Sequence, residues 1–215
     1  MERKRRRETK ERILEEACHV FAEKGYRDAT HAEICGASQT NIAAINYYFD
    51  SKEALYRAAF EHLAGKAEEA YPLHGNLPAT ARPEKRLRAF IHGLLSRMFD
   101  PGPLGYLHAI RMAERFTPTG LLDDSFERWL ARDRGNILAI LRDFLGPGAA
   151  ERDILWAEMS IIGQCMIGLH DTDERGPRKL FQIDASDLER LTEHIYQFSL
   201  GGIKAIRRRI EAPGN

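Results

Sequence analysis

Apolar side chains recur at intervals of three and four residues along most of the chain, which is the spacing that places them on one face of an α-helix. The clearest runs start at Ile13, Leu55 and Leu87, and two later helices are predicted over about 150–169 and 186–210. No segment shows the sustained two-residue alternation that indicates a half-buried strand. The pattern therefore predicts an all-α fold.

Capping residues predict two short helices between residues 30 and 50. Thr30 and Glu33 have the spacing of a capping box, in which each side chain bonds the backbone amide of the other residue. Asn41 can cap a second short helix over 42–48, and Ser51 can cap the longer helix that follows. Two short helices joined by a tight turn, with a longer helix on each side, form a helix-turn-helix.

A helix-turn-helix predicts a DNA reader, because its second helix fits a major groove about 12 Å wide and its first helix presents free amides to a phosphate. We therefore divide the chain into an N-terminal three-helix DNA-binding domain over 1–60 and a C-terminal helical ligand-binding and dimerisation domain over 61–215. A two-fold reader of this kind binds palindromic double-stranded DNA as a homodimer.

The segment 9–60 resembles the DNA-binding domain of the TetR family of transcription regulators. The resemblance is carried by Ile13, Ala17, Phe21, Gly25-Tyr26, Thr30, Glu33-Ile34, Ile45-Asn46-Tyr47-Tyr48-Phe49, Ser51-Lys52-Glu53 and Leu55. The run 41–47 is similar to the CecR-like branch of that family, and so is the stretch 110–119 in the C-terminal domain.

The resemblance implies two sets of DNA contacts. The residues that would face base edges are Ile42, Ala43, Ala44 and Asn46. The residues that would hold phosphates are Thr30, His31, Tyr47, Tyr48 and Lys52. An asparagine can make a bidentate contact with adenine, and alanines can contact thymine methyl groups. The core side chains of the two short helices are expected to be Ile34, Ala37, Ile45 and Phe49.

The turn between the two short helices departs from the family pattern. Gln39 stands where relatives have a glycine, which adopts a left-handed conformation without steric cost. A side chain there costs on the order of 1 kcal/mol. The sequence therefore predicts a slightly different or strained turn.

The last two helices carry the signs of a dimer interface. The run 159–169 has no charge on any face, and glycines inside these helices indicate close helix approach. The predicted interface residues are Ile161, Gly163, Met166, Leu191, Ile195, Phe198 and Gly202. The alternative is a pair of helices buried within one chain.

A pocket for a small effector is expected between the middle helices, with apolar walls and a few polar groups. Its candidate residues are Phe90, Leu94, Met98, Tyr106, Arg111, Met112, Phe116, Trp129, Ile162, Cys165, Met166 and His170. Arg111 is favoured because a charge among apolar neighbours needs a partner. A hydrophobic or aromatic effector fits such walls, but the sequence does not identify it.

Overall charge adds little to this interpretation, because 32 basic and 32 acidic residues give a formal net charge of zero. The distribution is more informative. Residues 1–12 carry seven basic side chains and three acidic ones, which predicts a basic arm over 1–8 that could reach a groove or phosphate. The apolar runs are shorter than the roughly 20 residues of a membrane span, so we expect a cytoplasmic protein without membrane association.

Other functional classes find less support in the sequence. It contains no nucleophile elbow, phosphate loop, dinucleotide fingerprint or zinc-protease motif, so no enzyme is predicted. The three scattered cysteines form no Cys-x-x-Cys pair, so neither a metal site nor a cofactor is expected. A ligand-responsive repressor is the main hypothesis. The alternative is a ligand-independent DNA-binding or architectural module.

Overall fold

The computed structural model describes residues 2–100, 102–166 and 183–212. The regular elements of these residues are all helical, so the predicted fold class is confirmed. The helices are α1 (Glu2–Asp28), α2 (His31–Ser38), α3 (Ile42–Phe49), α4 (Lys52–Ala70), α5 (Pro83–Phe99), α6 (Leu104–Phe116), α7 (Asp123–Leu145), α8 (Glu151–Met166) and α9 (Leu188–Glu211). A short 3₁₀ turn, Ala185–Asp187, precedes α9.

The helices form two compact units that do not follow the predicted boundary after residue 60. The first unit comprises residues 1–69 and 101–129, and the second comprises 70–100 and 130–215. Residue 60 lies inside α4, which continues to Ala70, and α6 packs against α1. The helix α7 contributes residues to both units.

The first unit is built on aromatic packing between α1 and α4. Phe21 and Tyr56 meet edge to face with ring centroids 4.8 Å apart, and both side chains are buried. Ile13 and Phe60 are also buried in this unit. Gly25 interrupts α1 with φ +71° and ψ 175°, and the helix continues beyond this kink to Asp28. Gly25 therefore kinks α1 and does not end it.

The second unit has a core between α5, α7, α8 and α9. Its α5 side chains include Leu87, Phe90 and Leu94, which are buried. An ion pair is buried with them: an Arg97 terminal nitrogen lies 3.1 Å from Asp133 Oδ2, and Arg97 Nε donates to the Tyr71 carbonyl at 2.8 Å. Among the described residues, no helix is both long and apolar enough to span a membrane.

Candidate DNA interface

The helix α2 begins with the predicted capping box. The Thr30 hydroxyl accepts from the Glu33 amide at 3.2 Å, and the Glu33 carboxylate accepts from the Thr30 amide at 2.9 Å. Lys24 pairs with the same carboxylate. This ammonium, followed by the Thr30 donors, lowers the pKa of Glu33 to about 2. The N-terminus of α2 is therefore fixed in place, with its acidic group neutralised by a lysine from α1.

The helix α3 separates a buried face from an exposed face. Asn41 caps it as predicted, since the Asn41 Oδ1 atom accepts from the Ala44 amide at 2.9 Å. Ile45 and Phe49 are buried, as predicted. On the other side, Ile42 is 52% exposed, which is unusual for an isoleucine. Ile42, a predicted reading side chain, is therefore not used to hold the fold.

Most of the predicted base-contacting and phosphate-contacting residues lie at this surface. Thr30, Ala43, Asn46 and Tyr47 are exposed, together with Ile42. Ala44, His31, Tyr48 and Lys52 are half-buried. Tyr47 and Tyr48 meet edge to face with ring centroids 5.0 Å apart. The structure brings both predicted sets together on α2, α3 and the start of α4.

The core prediction for α2 is correct at one position and wrong at another. Ile34 is fully buried, whereas Ala37 is exposed. Ser38 takes the buried position instead, and its hydroxyl donates to the Ile34 carbonyl at 2.6 Å. The helix ends at Ser38, and its last buried side chain is one residue later than predicted.

Side chains from α1 hold the end of both short helices, which sequence reasoning did not find. Arg12 Nε donates to the Ser38 carbonyl at 2.7 Å, where α2 ends and its carbonyls lack helical partners. Lys10 Nζ lies 5.4 Å from the centre of the Phe49 ring at the end of α3. Arg12 lies 26 residues from Ser38 in the sequence, so no local spacing rule identifies this contact, and the same holds for Lys10 and Phe49.

The turn between α2 and α3 contains the predicted left-handed residue. Gln39 has φ 51° and ψ 45°, and its amide bonds back to the Cys35 and Gly36 carbonyls. This is the conformation that glycine adopts without steric cost at the end of a helix. Gln39 therefore stores backbone strain in the turn that sets the pose of α3.

We expect Gln39→Gly to raise the free energy of unfolding by about 0.5–1 kcal/mol, because it relieves the strain of the left-handed conformation. Part of the gain is offset, because glycine increases the conformational entropy of the unfolded chain. Chemical denaturation measures the change. Gln39→Ala is the matched control, since alanine keeps the Cβ atom and the strain. Equal stability of the glycine and alanine variants would show that the turn is not strained.

The start of α4 holds a lysine against an aromatic ring. Lys52 Nζ lies 4.5 Å from the centre of the Tyr26 ring and 3.4 Å from the Arg27 carbonyl. The Tyr26 hydroxyl donates to Glu53 Oε1 at 2.8 Å. The Glu53 amide, the Ser51 hydroxyl and Tyr26 together lower the pKa of Glu53 to about 2. Tyr26 therefore holds in place Lys52, which is a predicted phosphate contact. Sequence reasoning did not assign this supporting role to Tyr26.

The predicted interface residues of α8 and α9 divide into two groups. Ile161 and Ile195 are each 2% exposed within one chain, so their assignment to a dimer interface is wrong. Gly163 and Gly202 are exposed, and Phe198 is 69% exposed. Met166 and Leu191 are half-buried. The rotation of each helix about its axis places the two isoleucines on the side that faces the core. Other residues of α8 and α9 are therefore exposed at the surface.

That surface set includes residues that sequence reasoning missed. Trp156 is 57% exposed and Met159 is 65% exposed, on the same helix as Gly163. A Cβ atom added at Gly163 or Gly202 would contact nothing within 4 Å in the described part of the chain. The alternative of two helices buried within one chain is therefore contradicted for these positions.

The predicted effector residues fall in separate units. Phe90, Leu94, Met98 and Cys165 belong to the core of the second unit, with Ile162 and Met166 packed against it. Tyr106, Arg111, Met112 and Trp129 lie in the first unit, where the Arg111 guanidinium lies 4.4 Å from the centre of the Trp129 ring. His170 lies outside the described residues.

The prediction is wrong for one residue of the expected pocket. Phe116 is 72% exposed at the end of α6, so it cannot form a pocket wall in this structure. Phe116 continues the apolar spacing after Met112, but it is the last residue of α6, where its side chain is exposed.

A cleft of about 450 Å³ lies in the second unit between α8 and α9. Its walls are mostly apolar and include Cys165 from the predicted pocket, with Leu191 and Ile195 from the predicted interface. Its polar side chains are Ser160, Gln164 and His194. The volume is in the range of small-molecule sites.

Comparison with known protein families agrees with this geometry. Residues 13–59 match the family model of bacterial regulatory proteins of the tetR family. Residues 83–203 match the model of the C-terminal domain of the HTH-type transcriptional dual regulator CecR. The chain therefore belongs to the TetR family of bacterial transcription regulators and has a CecR-like C-terminal domain. These families contain regulators and not enzymes.

Individual relatives support the same assignment. The chain is 32% identical over 117 residues to a Bacillus subtilis (strain 168) protein called Probable HTH-type transcriptional regulator YttP. That match covers 54% of this chain and 52% of the relative, so it spans about half the length of each.

Solved structures show the same fold. A Clostridium perfringens protein proposed to regulate fatty acid metabolism is similar with a TM-score of 0.69 at 18% identity, over 89% of this chain and 97% of that one. A TetR-like transcriptional regulator from Rhodococcus sp. RHA1 has a TM-score of 0.65 at 15% identity, over 91% of this chain and 96% of that one.

Proposed function

We propose that this protein is a homodimeric, ligand-responsive repressor that binds palindromic operator DNA through α3 and leaves it when a small molecule binds. The observation that carries the DNA-binding part is the exposed face of α3. Ile42, Ala43 and Asn46 are free of any role in the core, while Ile45 and Phe49 anchor the helix. A reading helix needs this division between anchoring and contacting side chains.

The phosphate contacts are proposed for Thr30, His31, Tyr47, Tyr48 and Lys52. The Thr30 hydroxyl is already used in the capping box. The backbone amides in the first turn of α2 are therefore the main donors that this helix can present to a phosphate. Lys52 and the basic residues of α1 supply positive charge in the same unit. Such contacts fix the position of the protein on the duplex without reading its sequence.

Dimerisation is proposed through the exposed face of α8 and α9. Trp156, Met159 and Phe198 form an apolar surface of a kind that monomeric proteins rarely leave uncovered. Gly163 and Gly202 leave room for a second helix pair to approach closely. A two-fold dimer carries two copies of α3, and a palindromic operator offers two successive major grooves roughly 34–36 Å apart to receive them.

A small hydrophobic or aromatic effector is proposed, because the second unit holds an apolar cleft of suitable volume. Its binding would shift the population of dimers toward a spacing of recognition helices that no longer fits the operator. The protein would act in the cytoplasm, where bacterial DNA is found. Equal operator affinity with and without every ligand that co-purifies with it would favour the ligand-independent module instead.

The test of the proposed function is a gel shift on DNA from immediately upstream of the gene, over a series of salt concentrations. A discrete shift that weakens with salt and survives excess competitor DNA supports a specific reader. A diffuse shift that competitor removes would contradict it for that DNA. A positive result also provides the operator that an effector screen needs.

We expect Asn46→Ala to weaken specific operator binding by about 1–3 kcal/mol, because it removes a bidentate contact with a base. The side chain is exposed, so the melting temperature should not change. Binding is measured by gel shift at one fixed salt concentration, on operator and on unrelated DNA. Asn136→Ala, on α7, is the matched control. Unchanged operator affinity of Asn46→Ala would show that α3 does not read bases through this residue.

A further inference from the structure

A buried carboxylate joins three segments of the first unit. Glu114 on α6 accepts from the Tyr56 hydroxyl of α4 at 2.7 Å. It also accepts from the Thr119 amide at 3.0 Å and from the Thr119 hydroxyl at 2.8 Å. Burial and then this carboxylate raise the pKa of Tyr56, so the phenol remains a donor at neutral pH. We call Tyr56, Glu114 and Thr119 the Glu114 latch.

Other contacts attach the same stretch of chain to α4. Arg57 Nε donates to the Leu121 carbonyl at 2.8 Å. The rings of Phe60 and Phe126 lie 6.1 Å apart. The segment from the end of α6 to the start of α7 is therefore docked along α4 by polar and aromatic contacts, and the Glu114 latch is its buried part.

The latch contacts the surroundings of Lys52 through two aromatic rings. The rings of Tyr56 and Tyr26 lie 5.1 Å apart, and the Lys52 ammonium lies 4.5 Å from the centre of the Tyr26 ring. Tyr56 thus touches Glu114 with its hydroxyl and Tyr26 with its ring. Contacts run without a gap from the carboxylate on α6 to the lysine at the start of α4.

We propose that Glu114 is a positioning residue for DNA binding. It holds α4 through Tyr56, and Tyr56 holds the Tyr26 ring that supports the Lys52 ammonium against a phosphate. The inference rests on the proposed function, in which Lys52 contacts DNA. A change in α6 or in residues 117–122 that opens the latch then alters DNA affinity without any change in the reading side chains of α3.

Tyr56→Phe and Thr119→Val test the proposal, because each removes a donor to Glu114 and nearly preserves side-chain volume. If opening the latch removes the contact of Lys52 with its phosphate, the dissociation constant at a fixed salt concentration rises. The slope of log affinity against log salt should also fall by about 0.9, which is the loss of one phosphate contact. The probe is the upstream duplex of the gel shift, and melting temperatures are measured in parallel.

Two controls separate positioning from loss of stability. Tyr71→Phe removes a similar bond in the second unit, where the Tyr71 hydroxyl donates to Asp100 Oδ2 at 3.0 Å. We expect it to leave the salt slope unchanged. Lys52→Gln should lower the slope by itself, and adding Tyr56→Phe should lower it no further, because both act on one contact.

The outcomes distinguish the inference from the function on which it rests. If Lys52→Gln lowers the slope and both latch variants leave it at the wild-type value, the inference is overturned and the proposed function stands. If the wild-type protein binds no duplex, or if Lys52→Gln has no effect, the proposed phosphate contact fails and the inference fails with it. A lowered slope in either latch variant, with Tyr71→Phe unchanged, supports the positioning role.

Discussion

Asp133→Ala is expected to lower the free energy of unfolding by about 3–5 kcal/mol, which is the usual cost of removing one partner from a buried ion pair. Asp133 is 7% exposed and Arg97 is 5% exposed. Without the carboxylate, the buried Arg97 guanidinium keeps its bond to the Tyr71 carbonyl but loses its bond to Asp133 Oδ2 in the core of the second unit. Urea denaturation at one fixed protein concentration measures the loss.

A surface ion pair of the same unit provides the control. Arg142 and Glu151 lie 3.2 Å apart, and both side chains are more than half exposed. Glu151→Ala should therefore cost less than about 1 kcal/mol. The double variant Arg97→Met/Asp133→Leu should recover most of the loss, because it removes both buried charges together. Equal, small losses for Asp133→Ala and Glu151→Ala would show that the buried charge is solvated after all.

Trp156→Glu is expected to have the largest effect on function. The substitution places a charge in the apolar face of α8 that we propose as the dimer interface, while the exposed side chain contributes little to the fold of one chain. A monomer binds one half-site and loses the advantage of simultaneous engagement, which is on the order of 100-fold or more in affinity. Analytical ultracentrifugation and gel shift measure the two effects.

Phe116→Glu is the matched control for this experiment. Phe116 is also a large exposed apolar side chain, but it lies at the end of α6 in the other unit. We expect this variant to have the oligomeric state and DNA affinity of the wild-type protein. A Trp156→Glu variant that remains dimeric would place the interface elsewhere, and a monomeric variant with full operator affinity would remove the two-fold reading model.

The sequence predicted the helix-turn-helix well because its signals are local. A capping box needs only Thr30 and Glu33 at the right spacing, and the Asn41 cap needs only its own position before an apolar run. The left-handed conformation of Gln39 followed instead from the family resemblance, because relatives have a glycine at this position. The two caps depend on a few neighbouring residues, so a single sequence is sufficient to find them.

Errors arose where a prediction needed the rotation of a helix or its neighbours in space. Ile161 and Ile195 were assigned to the dimer interface because the run 159–169 has no charge and both helices contain glycines, yet each side chain is buried in the core. Trp156 was missed because the uncharged run begins only at Met159, and Trp156 lies among charged residues such as Arg152, whose guanidinium lies over its ring. The direction of an apolar helix is decided by what packs on it, and periodicity alone does not contain that information.

Of all the predictions, the effector site was the one that the sequence determined least, for a related reason. Its candidates were chosen as apolar residues of the middle helices, and most of them fill the cores of two different units. Apolar residues line cores and pockets alike, so composition does not separate the two. The apolar cleft in the second unit depends on how α8 and α9 lie together, which only the three-dimensional structure shows.

The division of α3 into an anchored side and a free side has a consequence for the evolution of this regulator. Ile45 and Phe49 hold the helix, and α1 braces its neighbourhood through Arg12 and Lys10. Mutations at Ile42 or Asn46 can therefore change which operator is read at little cost in folding. A duplicated copy of the gene could acquire a new set of target promoters by drift at these few codons, while the scaffold that presents them stays under purifying selection.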